Sequence, residues 1–365
     1  MLHLAFTIFA AFLTSLSVAV LLVATQRWHA HFSLDHTGSG PQKLHLVEVP
    51  RIGGIAIMSG FATSLLLTKV GPANGLSIDA PVWLIMALFV PFAAGLIEDI
   101  TKSFGPWVRL LATFAGAAIA YFFCGATIVR FDVPPVDALL ALHPAVKFAF
   151  TLFCVGGIAH AFNLADGLNG LLAGLALAAS VGVALVAQQV GDHFLLLAAI
   201  ALASAVVGFG LLNFPKAYLF SGDGGAYLLG SAIAIFSMLL CHRNPTVSPW
   251  LPFVLVLYPF TDTTWAIVRR KLAGLPIMSP DAKHLHSLLA TRMTNSVGAL
   301  GRSVASFAIT CVSLAFIVVA TQLYTQTVWL VTLAVAYAVV YSLAYFWLSR
   351  RPNPEMSVTG QHIGD

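Results

Sequence analysis

Apolar residues along this chain come in long unbroken stretches separated by short polar gaps, and they do not alternate residue by residue. Stretches long enough to cross a bilayer, roughly 17 to 25 residues each, lie near residues 2–24, 52–69, 82–97, 107–124 and 145–162. Six more follow near 171–188, 194–212, 225–241, 249–267, 302–323 and 327–348. Continuous runs suit helices, because barrel strands would alternate apolar and polar positions. The pattern therefore predicts an all-α polytopic integral membrane protein with about eleven transmembrane helices. The first run has no basic residue ahead of its apolar stretch and reads as a retained span, not a cleaved signal peptide.

Composition agrees: 59% of the 365 residues are hydrophobic and only 9% are charged, which excludes a soluble monomer. The few charges also carry orientation, since basic residues favour the cytoplasmic side. Alternate gaps, with the C-terminal end, hold fourteen Lys and Arg residues, whereas the remaining gaps hold only Lys69, Arg130, Lys147 and Arg243. This bias predicts a periplasmic N-terminus and a cytoplasmic C-terminus. It also accounts for most of the net charge of +4, so nucleic acid is not an expected partner. Cys124, Cys154, Cys241 and Cys311 all fall within apolar runs without CxxC spacing and read as small core residues. No compositional break or internal repeat divides the chain, which predicts one membrane domain over 1–351 and a short disordered cytoplasmic tail over 352–365.

Chemistry-bearing residues collect in the gaps assigned to the inner side. Glu98-Asp99 ends the third run; adjacent carboxylates suit a proton acceptor or a divalent cation, although a solvated helix end beside Lys102 would look the same. Asn163, Asp166 and Asn169 recur at spacings of three, sharing one face of a helical turn, or capping the next helix. Asp223 stands among glycines in Ser221-Gly222-Asp223-Gly224-Gly225 ahead of the eighth run. It can hold Mg²⁺ while backbone amides approach phosphate, or serve as an N-cap. His284 and His286 follow the basic triplet Arg269-Arg270-Lys271 and suit diphosphate binding or proton transfer, where a solvated pair is the plainer reading. Lys43, His45 and Arg51 offer positive charge for a lipid phosphate or serve the orientation bias. Asp262 lies inside the ninth run, where a carboxylate is costly and points to function or to a polar partner on a neighbouring helix. Topology drawn from Lys and Arg alone puts all these strings at one membrane face, which a shared site for an anionic, metal-bound ligand explains.

In order, Pro50-Arg51-Ile52-Gly53-Gly54, Gly95 to Asp99, Ala161 to Leu171, Asn213 to Gly230 and Pro280 to His286 resemble the motifs of the polyprenyl-phosphate N-acetylhexosamine-1-phosphate transferases. This bacterial inner-membrane group of glycosyltransferase family 4 includes WecA-like and WbpL-like enzymes and, more distantly, MraY. The resemblance covers nearly the whole chain. It implies transfer of a sugar 1-phosphate from a UDP-N-acetylhexosamine to a polyprenyl phosphate, with release of UMP, at a site facing the cytoplasm, initiating a lipid-linked envelope glycan. It further implies Mg²⁺, with Mn²⁺ as a substitute, held by Asp223; a base at Asp99 or Glu98; and Asp166 with Asn169 at the nucleotide or metal. Asn213 and Phe220 would line the uridine pocket, with Asn163 beside them, and His284 and His286 would lie near the diphosphate. The expected partners are the nucleotide sugar, the lipid and the bilayer, with a homodimer as one form of assembly.

Departures from the family pattern narrow the expectation. Glu98 stands where Asp is usual, Asn169 where a second Asp is common, Ser287 where a further His is frequent, and Gln42 where an Arg precedes Lys43. Together these favour a glycan-assembly enzyme over the phospho-MurNAc-pentapeptide transferase of peptidoglycan synthesis. A secondary transporter or lipid flippase is the alternative of another class, and it predicts polar residues at the midplane and at both faces.

Overall fold

A computed structural model describes residues 2–33, 49–68, 79–276 and 283–350. Lys43, His45 and the tail at 352–365 lie outside the described residues. Among those described, every element is helical. The chain runs through α1 (Leu2–Ala24), α2 (Gln26–Ser33), α3 (Gly54–Leu67), α4 (Ala80–Thr101) and α5 (Pro106–Ile119), which ends in a π turn over Ala120–Cys124. It continues through α6 (Pro134–Leu142), α7 (Pro144–Ala165), α8 (Leu171–Gln189), α9 (His193–Asn213) and α10 (Gly222–Arg243). It finishes with α11 (Leu251–Leu255), α12 (Leu257–Leu272), α13 (Leu285–Val297), a 3₁₀ turn at Gly298–Leu300, α14 (Gly301–Gln322) and α15 (Thr327–Ser349).

All eleven apolar runs are helical, and among the described residues nine helical stretches are long and apolar enough to cross a membrane. The other two runs take different forms. The run near 52–69 is α3, with only 14 residues. The run near 249–267 is broken between α11 and α12. Pro259 explains the break: it has no N–H to offer the Leu255 carbonyl four residues back, and its ring crowds that carbonyl. Two gaps expected to be connectors hold helices of their own, α6 and α13.

α10 is the central pillar. It packs against α3, α4, α5, α7 and α8, and every residue from Gly222 to Leu240 is buried. Its N-terminal turn is wedged between α3 and α4 by glycines on all three helices. A Cβ added to Gly54 would lie 2.5 Å from the Gly225 nitrogen, and one added to Gly95 would lie 2.6 Å from the Asp223 carbonyl oxygen. Small residues are what allow helix backbones to approach this closely inside a membrane.

The opposite end of α10 is fixed by charge. Arg243 grips Asp192 with two hydrogen bonds, Nε to Oδ2 at 2.7 Å and Nη2 to Oδ1 at 3.1 Å, and Asp192 also caps α9 through the Leu195 amide.

Candidate active site

The site forms around the start of α10. Gly222 opens the helix at φ 69°, a conformation that favours glycine. A side chain there would also run into the Arg51 carbonyl and the Asp99 carboxylate. Asp99 reaches across from the end of α4 and accepts the Asp223 amide on Oδ1 and the Gly224 amide on Oδ2, both at 3.0 Å. A carboxylate from another helix thus satisfies two of the N-terminal amides that a helix leaves open, and it faces the positive end of the helix dipole. Asp99 is only 2% exposed.

With its backbone held, Asp223 turns its carboxylate toward three donors. Arg51 Nη2 donates at 3.4 Å, Asn163 Nδ2 donates at 3.1 Å, and Arg109 Nη1 donates to the second oxygen. Asp166, at the C-cap of α7, accepts a 2.6 Å hydrogen bond from the Ser221 hydroxyl. Burial lifts the Asp166 carboxyl from the usual range to about 6; the Ser221 hydrogen bond and the charge of Arg51 pull it down, and the charge of Asp223 pushes it up.

Three residues expected at the substrate also make hydrogen bonds within the frame. Asn213 accepts the Gly170 amide at 2.8 Å and donates to the Leu219 carbonyl at 2.9 Å, which ties the 166–170 turn to the 214–221 turn. Asn169 donates to the Pro215 carbonyl at 3.0 Å. The main chain of Phe220 pairs with the segment ahead of α3, donating to the Pro50 carbonyl and accepting from the Gly53 amide, both at 2.8 Å. Glu98 accepts the Phe104 amide at 2.8 Å.

The histidine pair joins the site from the far side of the 166–170 turn. His284 Nδ1 lies 2.6 Å from Asp262 Oδ2, while Asp262 Oδ1 accepts the Leu285 amide at 3.1 Å and the Tyr341 hydroxyl at 2.6 Å. The His286 Nδ1 pairs with the Tyr258 hydroxyl at 3.0 Å. The His286 ring packs so closely on Gly167 that any Cβ there would collide with it. His284 and Tyr341 are the polar partners that the costly position of Asp262 within an apolar run demanded, and Asp262 is 1% exposed.

Sequence reasoning missed Arg109. It counted among the orientation charges, yet it lies inside the fourth apolar run, and an arginine so placed demands a partner. That partner is Asp223. Beside it opens a cavity of ≈ 930 Å³ between α5, α7, α10 and α12. Arg109 and Asn163, both partners of Asp223, line it together with Trp107, Phe114, Phe153, Ile158, Met238 and Phe260. The arrangement joins a carboxylate and arginine cluster to an apolar groove within the membrane, which suits an anionic headgroup on a hydrocarbon chain.

Similarity to known proteins points the same way. A glycosyl transferase family 4 profile matches residues 81–241. A probable undecaprenyl-phosphate N-acetylglucosaminyl 1-phosphate transferase of Bacillus subtilis is 30% identical over 292 residues, 79% of this chain and 77% of that protein. A decaprenyl-phosphate N-acetylglucosaminephosphotransferase of Mycobacterium tuberculosis is 31% identical over 67% of this chain and 66% of its own length. An undecaprenyl-phosphate alpha-N-acetylglucosaminyl 1-phosphate transferase of Thermotoga maritima is 28% identical over 69% of this chain and 72% of its own.

Proposed function

Since the chain belongs to glycosyl transferase family 4, among the polyprenyl-phosphate hexosamine-1-phosphate transferases, we propose that it moves an N-acetylhexosamine 1-phosphate from a UDP-sugar to a polyprenyl phosphate. UMP is released and a lipid-linked diphosphosugar remains. The observation that carries this reading is the meeting of Asp223 with Arg51, Arg109 and Asn163, the last two of which also line a largely apolar intramembrane groove. The bias of basic residues supports a site on the cytoplasmic face of a bacterial inner membrane, where the product would start an envelope glycan.

In this reaction an oxygen of the lipid phosphate attacks the β-phosphorus of the UDP-sugar, and the bond to the UMP oxygen breaks. A phosphate monoester is largely dianionic at pH 7, its second pKa being about 6, so the acceptor is a nucleophile without a protein base. The hydrogen bonding of Asp99 supports a positioning role: it fixes the first turn of α10 and so aims Asp223. Arg51, Arg109 and Asn163 orient the anionic groups. His284 and His286, anchored through Asp262 and Tyr258, lie behind the turn that carries Asp166 and bound the donor side. Asp166 and Asp223 offer hard oxygen donors suited to Mg²⁺ or Mn²⁺, and the neighbouring arginines offset part of their charge. Bound there, the metal would neutralise charge developing on the diphosphate and on departing UMP.

The test supplies purified protein with undecaprenyl phosphate, Mg²⁺ and a panel of UDP-N-acetylhexosamines, and measures UMP. Lipid-dependent release with at least one sugar is expected. No release with any sugar, with Mg²⁺ or Mn²⁺, would refute the reading.

A further inference from the structure

Inside a membrane, an unpaired polar atom on a buried side chain is expensive and marks a missing partner. Five such atoms belong to residues that line the groove described above: Arg109 Nε, His160 Nε2, Thr263 Oγ1, Ser237 Oγ and Thr127 Oγ1. The three hydroxyls are neutral and come from three separate segments, the stretch before α6, α10 and α12. Arg109 and His160 differ, because both lie at the end that meets Asp223.

His160 precedes Asn163 by one helical turn on α7, and Tyr227 follows Asp223 by one turn on α10. The His160 and Tyr227 rings meet at 4.9 Å between centroids. They form a second layer below Asn163 and Asp223, roughly 5 Å closer to the membrane middle. An arginine and a histidine that each keep an unpartnered nitrogen at this end suit an anion, and the groove wall is mostly apolar. A lipid phosphate is an anionic group on a long apolar chain, and it is the acceptor of the proposed reaction. Both nitrogens sit at the groove wall, and the broad final torsion of a histidine lets Nε2 turn toward an occupant.

We propose that His160, together with Arg109, holds the phosphate of the lipid acceptor at the end of the groove that meets Asp223. This rests on the transferase reading and adds to it a specific contact. It places the acceptor phosphate on the membrane side of Asp223, so the nucleophile approaches from below while the nucleotide sugar enters from the aqueous face.

Binding of undecaprenyl phosphate and of undecaprenol, its uncharged alcohol, is measured through the fluorescence of Trp107, which lines the groove. Wild type is compared with His160→Ala, His160→Gln and His160→Phe, and KM for both substrates is measured on the same samples. Wild type is expected to prefer the phosphorylated lipid. His160→Ala should weaken that lipid about tenfold, leaving the alcohol and the KM for UDP-sugar unchanged. Glutamine, which restores an N–H donor, should recover most of the loss, whereas phenylalanine, which keeps only the ring against Tyr227, should not. Full affinity in His160→Phe, or equal weakening of lipid and alcohol in His160→Ala, would overturn the contact. The transferase reading is judged separately: a wild type that discriminates between the lipids but releases no UMP keeps the contact and loses that reading. Turnover with an unchanged lipid KM in His160→Ala does the reverse.

Discussion

Replacing Asp99 separates two roles that a carboxylate next to a reaction centre can play. Its two oxygens accept the amides of Asp223 and Gly224 at 3.0 Å each, in a place where Asp99 and Asp223 are 2% and 8% exposed. Asp99→Ala leaves both amides buried without acceptors. Hydrogen bonds to charged groups are worth about 1.5–3 kcal/mol each, and removing the carboxylate also removes the cost of burying it, so the lower end of each applies and the expected loss is about 3 kcal/mol. Asp99→Asn keeps one acceptor and turns an NH₂ group against the other amide, for a loss of about 1.5 kcal/mol. Glu98→Gln retains an acceptor for the partly exposed Phe104 amide and should stay within about 0.5 kcal/mol of wild type. Unfolding in lipid–detergent micelles would rank the three, alongside kcat and the Mg²⁺ concentration for half-maximal activity. If Asp99 acts by aiming Asp223, stability, Mg²⁺ response and kcat fall together in the order Ala, Asn, Gln. An Asp99→Asn protein that unfolds with the wild type and yet is inactive would refute the positioning argument and return Asp99 to the reacting atoms.

Other expectations concern separate parts of the molecule. Asp166 is held at about pKa 6 by burial, so its ionised form, the one the proposed metal site requires, fills as pH rises through 6. The acid limb of kcat/KM should have a midpoint near there, and Asp166→Asn should abolish that limb along with most activity. The linked stability runs the other way: between 3.8 and about 6 the folded protein keeps a proton that the unfolded chain releases, so stability falls as pH rises through this window, and Asp166→Asn should flatten the dependence. Gly222→Ala should cost about 1–2 kcal/mol from its left-handed backbone alone, with more from the contacts on Arg51 and Asp99, and monodisperse yield on size exclusion would report it. Asp192→Asn breaks the buried pair with Arg243 and should destabilise by about 3 kcal/mol. Because that pair lies at the opposite end of α10, the KM for both substrates should stay at its wild-type value.

Helix positions were legible in the sequence because the bilayer demands long apolar runs, and no other pattern mimics them. The broken ninth run was not read, although Pro259 was in plain view, because its effect depends on which carbonyl lies four residues back. Motif spacing pointed to Asp99, Asp166 and Asp223 but could not divide their duties, since a carboxylate that caps a helix and one that faces a ligand look alike in a string of letters. Asn213 shows this most clearly: both ends of its amide are taken by main-chain groups from two turns, a fact of tertiary geometry. Arg109 and His160 were legible in principle. Both fall inside apolar runs, where an ionisable side chain needs a reason, and counting Arg109 as an orientation charge hid its position.

The enclosure of α10 bears on how this protein responds to the membrane around it. Helices at the rim meet the lipid: Phe9 on α1, Phe307 on α14 and Leu343 on α15 are each more than 60% exposed. A thinner or thicker bilayer would tilt and strain those outer helices first. The helix that carries Asp223 has no such surface, being surrounded by protein along almost its whole length. Changes in lipid thickness or lateral tension are thus taken up at the periphery, and the chemical centre is mechanically insulated from the solvent in which the protein floats.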